Sequence, residues 1–318
     1  MTDMSELARS DRVVVCLPDV PERAHMGDLP ASVDVRLVPA EPGLLPDLAD
    51  VDLIVPSART QAPLLDLLGG GGGRLRVIQT TSAGVDWLSG RVPDHVMVCN
   101  ARGVYDAPLA EWVVGAILAM ERGLVESRDA QAHHEWNAIE PAELFGRHVV
   151  ILGLGSIGTA IADRLRPFGV DIIGVGRTAR DGVRGLADLD EVLRDAEILV
   201  NILPLTSETV GLLDAPRLGL LPDGAMVVNA GRGRTIETAA LVDALQAGRI
   251  RAALDVTDPE PLPPDHPLWR LSNVLITPHI AGDSPASLAR SFELAGDQVR
   301  RFAAGQPLVN EVDRYLLA

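Results

Sequence analysis

The sequence predicts an α/β protein built on parallel sheets, and two observations point to this class. Short β-rich runs alternate with segments of helical apolar spacing along the whole chain, which is the pattern of strand–helix–strand units. The length of 318 residues is enough for two domains, each with its own hydrophobic core. A hydrophobic content of 47% agrees with a folded globular protein and argues against disorder.

The predicted elements form two series. The first series has a short helix at residues 60–68 and five strands, at residues 12–17, 33–38, 53–55, 75–80 and 96–99. One long amphipathic helix is predicted at 107–130, between the two series. The second series runs from a strand at 147–152 to a strand at 275–277, and a last helix is predicted at 285–304.

The composition excludes several classes of function. A net charge of −16 provides no basic field, so binding to nucleic acid or to an anionic membrane is not expected. Every basic residue is Arg and none is Lys, which excludes a Schiff-base lysine and a Walker-type phosphate loop. Cys16 and Cys99 make no disulfide framework, and neither a signal peptide nor a membrane-spanning run is visible. We therefore expect a cytoplasmic protein.

A glycine-rich turn follows the strand at 147–152. Gly153, Gly155 and Gly158 form G-x-G-x-x-G at a strand-to-helix junction, where this motif is strong evidence for dinucleotide binding. The first two glycines permit a tight turn and close approach of the backbone, and the third lets the helix pack on the strand. The N-terminus of the helix then faces the pyrophosphate.

The end of the next strand predicts a preference for NADP. Sites for NAD place Asp or Glu here to bind the ribose 2′-hydroxyl, but residues 174–180 contain no carboxylate. Arg177, Thr178 and Arg180 are suited instead to a 2′-phosphate dianion. Asp181 is close enough in sequence to keep the use of NAD open, with Arg177 then stacked on adenine.

Three later strands end in residues that suit carbonyl chemistry. Arg232 is flanked by glycines after the first of these strands, Asp255 lies at the end of the second, and His279 follows the third. Open α/β sheets bind ligands at the carboxyl ends of their strands. Asp255 has an alternative role, because a carboxylate at a strand end often caps a loop.

Taken together and in order, these segments resemble the D-isomer-specific 2-hydroxyacid dehydrogenase family. The matching segments run from about residue 80 to the C-terminus. They are residues 82–86, 100–105, 153–158, 203–206, 229–233, 255–261, 266–269 and 277–282. In the cofactor motif, the chain is most similar to the NADP-dependent glyoxylate/hydroxypyruvate reductases of that family.

The resemblance implies a set of site residues. Arg232 would hold the substrate carboxylate and polarise the carbonyl, His279 would exchange the proton, and Glu260 would orient the imidazole. The backbone N–H groups of Ala83 and Gly84 would bind the substrate carboxylate. The implied cofactor contacts are Gly153, Gly155, Ser156, Ile157, Gly158, Arg177, Thr178, Arg180, Pro204, Ala230, Asp255 and Gly282.

The resemblance also implies an architecture. It consists of two doubly wound, Rossmann-like domains with an active site in the cleft between them. Residues 1–99 with 284–318 would form a flavodoxin-like substrate domain, and residues 100–283 the dinucleotide-binding domain, through which family members commonly form homodimers. His133 and His134 lack further ligands at metal spacing, so no metal site is expected, and Trp136 is assigned a packing or dimer-arm role.

The implied function is an oxidoreductase that transfers a hydride between NADPH, or less favourably NADH, and a small 2-oxo acid, giving a D-2-hydroxy acid. Glyoxylate and hydroxypyruvate are the leading substrates. One alternative is an NAD-dependent enzyme of the phosphoglycerate dehydrogenase type. Two features count against it: there is no carboxylate in residues 174–180 to bind the ribose 2′-hydroxyl, and no regulatory domain is expected after residue 318. Another is a dinucleotide-sensing binding protein of the corepressor type, which no disordered tail or basic patch favours.

Overall fold

A computed structural model describes residues 12–39 and 47–317 of the chain. Residues 1–11, the part of the chain most relevant to a signal peptide, lie outside the described residues. The chain divides into two compact units, one made of Met1–Val104 and Ser284–Ala318, the other of Tyr105–Asp283. The boundaries predicted from the sequence fall after residues 99 and 283. Among the described helices, none combines the length and the apolar composition needed to cross a bilayer.

The described part of the chain contains eight α-helices. They are α1 (Ala58–Gly69), α2 (Asp106–Glu121), α3 (Leu124–Ala132), α4 (Ser156–Leu165), α5 (Leu189–Val192), α6 (Ala215–Leu218), α7 (Thr238–Gln246) and α8 (Pro285–Ala303).

The first unit contains a five-stranded parallel sheet. Its strands are β1 (Val13–Asp19), β2 (Val33–Pro39), β3 (Leu53–Ile54), β4 (Val77–Gln79) and β5 (Met97–Cys99). They lie in the order β2-β1-β3-β4-β5, which is the flavodoxin-like order. Helix α8 packs Phe292, Ala295 and Val299 against a buried cluster that includes Val15 and Leu53. The end of the chain therefore completes the core of this unit.

The second unit contains a seven-stranded parallel sheet. Its strands are β6 (His148–Leu152), β7 (Asp171–Gly176), β8 (Val183–Gly185), β9 (Ile198–Asn201), β10 (Met226–Asn229), β11 (Arg251–Leu254) and β12 (Val274–Ile276). They lie in the order β12-β11-β10-β9-β6-β7-β8, so the direction of winding reverses between β6 and β9. Ligands bind at the carboxyl ends of strands beside such a reversal.

Both faces of this second sheet are covered by apolar packing. Along β6, Val150 and Leu152 belong to one buried cluster, and Val149 and Ile151 belong to another. Burial on both sides is typical of parallel strands flanked by helices, and it explains their continuous runs of apolar residues. The two parallel sheets and their helices confirm the predicted α/β fold class.

The prediction of a single long helix at 107–130 is wrong. The chain forms two helices there, α2 and α3, separated at Arg122 and Gly123. Gly123 has a φ of 62°, a left-handed conformation that ends one helix and lets the next begin at a different angle. The apolar spacing continues across this break, so periodicity alone did not reveal it.

Candidate active site

The glycine-rich turn joins β6 to α4 beside the reversal in the second sheet. Gly153 has a φ of 98°, and a Cβ there would lie 2.9 Å from the carbonyl oxygen of Ile202. A Cβ on Gly158 would overlap the carbonyl oxygen of Gly153, so this glycine lets the helix pack on the turn. A Cβ on Gly155, in contrast, would meet no described atom within 4 Å. Two glycines are required by packing, and the middle one leaves open space.

This turn fits the pyrophosphate of a dinucleotide. Helix α4 begins at Ser156, with Gly155 as its N-cap residue. Ser156 and Ile157 therefore lie in the first turn of the helix, where backbone N–H groups lack carbonyl partners within the helix and favour an anion. The open space at Gly155 allows such an anion to approach the backbone closely.

Three predicted cofactor residues follow β7 in an exposed segment. Arg177, Thr178 and Arg180 all have exposed side chains. Arg180 donates from Nη2 to the carbonyl oxygen of Leu154 at 2.6 Å, which places this guanidinium on the glycine-rich turn. Its backbone also pairs with that of Val183, at 3.0 and 2.8 Å, closing a hairpin that contains the exposed Asp181. The structure therefore brings Arg180, in particular, to the glycine-rich turn.

Arg232 lies on a loop after β10 that is held by buried polar side chains. Asn229 donates from Nδ2 to the carbonyl oxygen of Arg232 at 3.2 Å, and Thr235 donates from Oγ1 to the same oxygen at 2.6 Å. Asn229 Oδ1 accepts hydrogen bonds at 3.1 Å from the Gly231 N–H and from Asn201 Nδ2. These bonds hold the backbone that presents the guanidinium at the carboxyl end of β10.

His279 and Glu260 form a direct pair. Nδ1 of His279 lies 2.6 Å from Oε1 of Glu260, and the two side chains are 50% and 42% exposed. Because the carboxylate occupies Nδ1, the other ring nitrogen, Nε2, is the one available to a substrate. This is the arrangement of an acid–base histidine oriented by a carboxylate.

Asp255 anchors the loop that carries His279. Its buried carboxylate accepts hydrogen bonds from Thr277 Oγ1 at 2.6 Å and from the N–H groups of Ile280 and Ala281 at 2.9 Å. The backbone carbonyl of Asp255 accepts the N–H of His279 at 2.8 Å. These contacts are the loop-capping role that the sequence left open, whereas a contact of Asp255 with the cofactor stays a prediction.

Three other predicted cofactor residues surround the same sheet edge. Pro204 follows β9, and its carbonyl oxygen accepts a hydrogen bond from Thr209 Oγ1 at 2.6 Å. Ala230 is buried directly after β10. Gly282 follows the His279 loop, and a Cβ there would lie 3.1 Å from the ring of Tyr105. All three follow the carboxyl ends of strands, and their contacts with a cofactor stay predictions.

Ala83 and Gly84 lie in the first unit, in the loop after β4. Asn100 donates from Nδ2 to the carbonyl oxygen of Ala83 at 2.8 Å, and Ser82 donates from Oγ to that of Gly84 at 2.8 Å. Thr80 donates from Oγ1 to the carbonyl oxygen of Ser82 at 2.7 Å. Side chains therefore hold this loop in one conformation, and its binding of a carboxylate stays a prediction.

Sequence reasoning did not identify several residues that support these loops. Asn201, Thr235 and Thr277 are hydrogen-bonded to the segments that carry Arg232 and His279. One signal could have revealed the first of them, because Asn201 is the polar last residue of the otherwise apolar strand β9. The threonines carry no comparable signal, since Thr is common in loops.

The segment between α3 and β6 carries an exposed tryptophan. Trp136 is 102% exposed, so its assignment to packing within the chain is wrong, and the dimer-arm role stays a prediction. His133 Nδ1 lies 2.9 Å from the carbonyl oxygen of Asp129. Within residues 12–39 and 47–317, no three His, Cys, Asp or Glu side chains form a group able to hold a metal ion.

Residues 114–281 match the sequence model of a protein family, described as the NAD binding domain of D-isomer specific 2-hydroxyacid dehydrogenase. The matched range includes the glycine-rich turn, Arg232, Glu260 and His279. A glyoxylate reductase from Thermofilum pendens is 38% identical over 238 residues, which are 70% of this chain and 70% of that protein. A D-3-phosphoglycerate dehydrogenase from Mycobacterium leprae is 32% identical over 311 residues, which are 93% of this chain and 58% of that protein.

Two solved structures share the fold over 96% of this chain. One is an NADPH-dependent glyoxylate/hydroxypyruvate reductase from Sinorhizobium meliloti in complex with NADP and sulfate; it is 28% identical, is covered over 100% of its chain and gives a TM-score of 0.82. The other is a D-isomer specific 2-hydroxyacid dehydrogenase from Xanthobacter autotrophicus in complex with NADPH and MES; it is 32% identical, is covered over 98% and gives a TM-score of 0.79.

Proposed function

The chain belongs to the D-isomer specific 2-hydroxyacid dehydrogenase family, and from that premise we propose that it is an NADPH-preferring reductase of small 2-oxo acids. It is an oxidoreductase, and its leading substrates are glyoxylate and hydroxypyruvate. The observation that carries the proposal is the 2.6 Å pair of His279 and Glu260, on the same sheet edge as a glycine-rich turn that fits a dinucleotide.

Three side chains have different roles in the reaction. Arg232 binds the carboxylate and the carbonyl oxygen of the 2-oxo acid through its planar guanidinium, and this polarises the carbonyl group. When bound, the nicotinamide dinucleotide supplies the hydride that the carbonyl carbon accepts. His279 donates a proton from Nε2 to the carbonyl oxygen, and it accepts that proton in the direction of oxidation. Glu260 holds the imidazole in place through Nδ1.

The preference for NADPH rests on the segment after β7. Arg177, Thr178 and Arg180 offer two guanidinium groups and a hydroxyl to a 2′-phosphate, and Arg180 already contacts the glycine-rich turn. The S. meliloti reductase and the X. autotrophicus dehydrogenase, whose structures hold NADP and NADPH, support this preference.

We also propose that the chain forms a homodimer through its second unit and works in the cytoplasm. The exposed Trp136 and Phe145, which are 102% and 76% accessible, support the dimer because large exposed aromatic side chains are typical of interfaces. The two free, buried thiols, Cys16 and Cys99, fit a reducing compartment.

A phosphoglycerate-dehydrogenase-type activity is the second candidate. The M. leprae relative favours it, because its similarity extends over 93% of this chain, although this chain spans only 58% of that protein. The absence of a carboxylate in residues 174–180 favours the first candidate, since an NAD-linked enzyme commonly binds the ribose 2′-hydroxyl there.

A spectrophotometric assay tests the proposal. Oxidation of NADPH and of NADH is followed with glyoxylate, hydroxypyruvate, pyruvate and phenylpyruvate, and reduction of both oxidised cofactors is followed with 3-phosphoglycerate. We expect the highest kcat/KM with NADPH and a small 2-oxo acid. Turnover with NADH alone would remove the 2′-phosphate argument. Turnover confined to 3-phosphoglycerate would establish the second candidate.

A further inference from the structure

The second unit has a cavity at the opposite edge of its sheet from the candidate active site. The cavity has a volume of about 460 Å³, within the range of small-molecule sites. Arg147 directly precedes β6, Glu197 directly precedes β9, and Arg251 begins β11, so these three lining residues lie at the amino ends of parallel strands. Glu121, the last residue of α2, also lines it, and we name it the Glu121 cavity.

Glu121 is a buried carboxylate with one oxygen unsatisfied. The residue is 2% exposed, and its Oε1 accepts a hydrogen bond from Arg251 Nη2 at 2.6 Å. Its Oε2 accepts no hydrogen bond from any residue in the described ranges. Nη2 of Arg147 lies 3.7 Å from this oxygen, which is within ion-pair distance but too far for a hydrogen bond. Nη1 of the same guanidinium is bound to Oε1 of Glu197 at 2.5 Å. A buried carboxylate oxygen without a hydrogen-bond donor costs free energy, and a ligand that donates a hydrogen bond to this oxygen would remove that cost.

The other lining residues indicate what kind of donor fits. Five carboxylates and two guanidinium groups line the cavity: Glu121, Glu126, Glu140, Glu197, Asp223, Arg147 and Arg251. Asp223 is itself paired with Arg249 at 3.1 Å, so the excess of negative charge comes from the exposed Glu126 and Glu140. This excess favours a cation and disfavours an anion. Met120, Ile139 and Pro222 line the same space and offer apolar surface to a hydrocarbon chain.

We propose that the Glu121 cavity binds a short aliphatic primary amine. Its ammonium group donates a hydrogen bond to Oε2 of Glu121, and its methylene groups lie against the apolar lining. The exposed Glu126 and Glu140 attract the positive charge at the mouth of the cavity. This site is separate from the dinucleotide turn, because the two occupy opposite ends of the same parallel strands.

Calorimetric titration of the full-length protein, in its native oligomeric state, tests the proposal with three probes of similar size. 1,4-Diaminobutane carries both charge and N–H donors, tetramethylammonium carries charge without a donor, and 1,4-butanediol carries donors without charge. At constant ionic strength, we expect saturable binding of the diamine and affinities at least about tenfold weaker for the other two, because both the charge and the hydrogen bond are needed.

Three variants connect the binding to this cavity. Glu121→Gln should weaken diamine binding at least about tenfold, since a charged hydrogen-bond acceptor is lost. Glu126→Gln and Glu140→Gln, at exposed positions where folding is not at risk, should each weaken it about two- to fivefold. Glu143→Gln is the matched control, because Glu143 is exposed in the same segment but does not line the cavity.

Several results would overturn the proposal. If the diamine shows no saturable binding up to about 10 mM, Glu121 is only a structural ion-pair partner, or a partner subunit fills the cavity. Equal affinity for tetramethylammonium would mean attraction to surface charge without a specific site. Equal losses in Glu140→Gln and Glu143→Gln would place the binding elsewhere on the acidic surface.

Discussion

His279 has a backbone conformation that most side chains avoid. Its φ is 55°, and a non-glycine residue in this left-handed region carries strain of roughly 1–3 kcal/mol. Asp255 holds it there, because its backbone carbonyl accepts the N–H of His279 and its carboxylate accepts the N–H groups of the two residues that follow. The strained backbone aims the imidazole at Glu260. Asp255 therefore contributes to the site through the position of His279, whatever contact it makes with the cofactor.

Replacement of the histidine tests its role directly. His279→Ala should lower kcat by roughly 10²- to 10⁴-fold, which is typical when a general acid–base group is lost. Binding of NADPH, followed by its fluorescence, should change little. His148→Ala, at a half-exposed position on the opposite edge of the sheet, is the control and should keep normal turnover. Near-native turnover in His279→Ala would remove this residue from the mechanism.

Arg177 tests the choice of cofactor. Arg177→Ala should weaken binding of NADPH by about tenfold or more, because a charge-assisted hydrogen bond to the 2′-phosphate is lost, and should have little effect on NADH. Dissociation constants for both cofactors provide the measurement. Arg184→Ala, at an exposed position on the neighbouring strand, controls for the general loss of positive charge. Equal losses for the two cofactors would show that Arg177 does not recognise the phosphate.

At the scale of elements, the glycines of the turn between β6 and α4 meet two different requirements, one for packing and one for binding. The Gly158 position has no room for a Cβ, because the carbonyl oxygen of Gly153 occupies that space. The Gly155 position has room, and its φ of −87° suits any residue. The same motif therefore contains one glycine that the helix needs and one that only a ligand needs.

Two alanine variants distinguish these requirements. Gly158→Ala should lower the free energy of unfolding by roughly 1–3 kcal/mol, because the helix must move off the turn. Gly155→Ala should change stability by less than about 0.5 kcal/mol and should nevertheless weaken binding of the dinucleotide. Denaturant unfolding and cofactor titration of both variants give the comparison. A large loss of stability in Gly155→Ala would contradict this division.

The amino ends of β6 and β9 are joined by the side chain of Glu197. Its Oε2 accepts the N–H of His148 at 3.0 Å, and its Oε1 pairs with Arg147 at 2.5 Å. Burial alone would raise the pKa of Glu197, but these two interactions outweigh it and lower the pKa below its ordinary value of 4.5. The ionised carboxylate therefore stabilises the fold above that pH, and this contribution is lost as the pH falls through the lowered pKa.

Glu197→Gln should consequently lower the free energy of unfolding by about 1 kcal/mol near neutral pH. The difference from the wild-type protein should shrink as the pH falls below 4.5, because the wild-type carboxylate then becomes protonated. Denaturant unfolding across this range provides the test. Glu191→Gln removes an exposed ion pair with Arg184 and should have almost no effect at any pH. A pH-independent difference for Glu197→Gln would contradict the assignment.

At the scale of the whole molecule, the proposed dimer depends on side chains that the single chain leaves uncovered. Trp136 and Phe145 are the most exposed aromatic side chains described, and both belong to the segment between α3 and β6. Trp136→Glu should shift sedimentation from dimer to monomer at micromolar concentration, because a charge would be buried at an apolar contact. Val210→Glu, at an exposed valine outside this segment, should leave the dimer intact. A wild-type monomer would refute the proposal outright.

The amino-acid sequence by itself determined the α/β class and the position of the glycine-rich turn, and it supplied the motifs from which the roles of Arg232, Glu260 and His279 are predicted. These features are encoded locally, in the alternation of strand and helix patterns and in short motifs at strand ends. The break between α2 and α3 was missed because apolar spacing continues through Gly123, although a glycine at that position is itself a local signal.

Only the tertiary structure decided which groups meet. Glu260 and His279 lie 19 residues apart, and Glu121 and Arg251 lie 130 residues apart, yet each pair is in contact at 2.6 Å. Such contacts depend on how parallel strands stack and on where their loops and helix ends converge, which no local pattern records. The role of Asp255 as the anchor of the His279 loop, and the existence of the Glu121 cavity, follow from that packing.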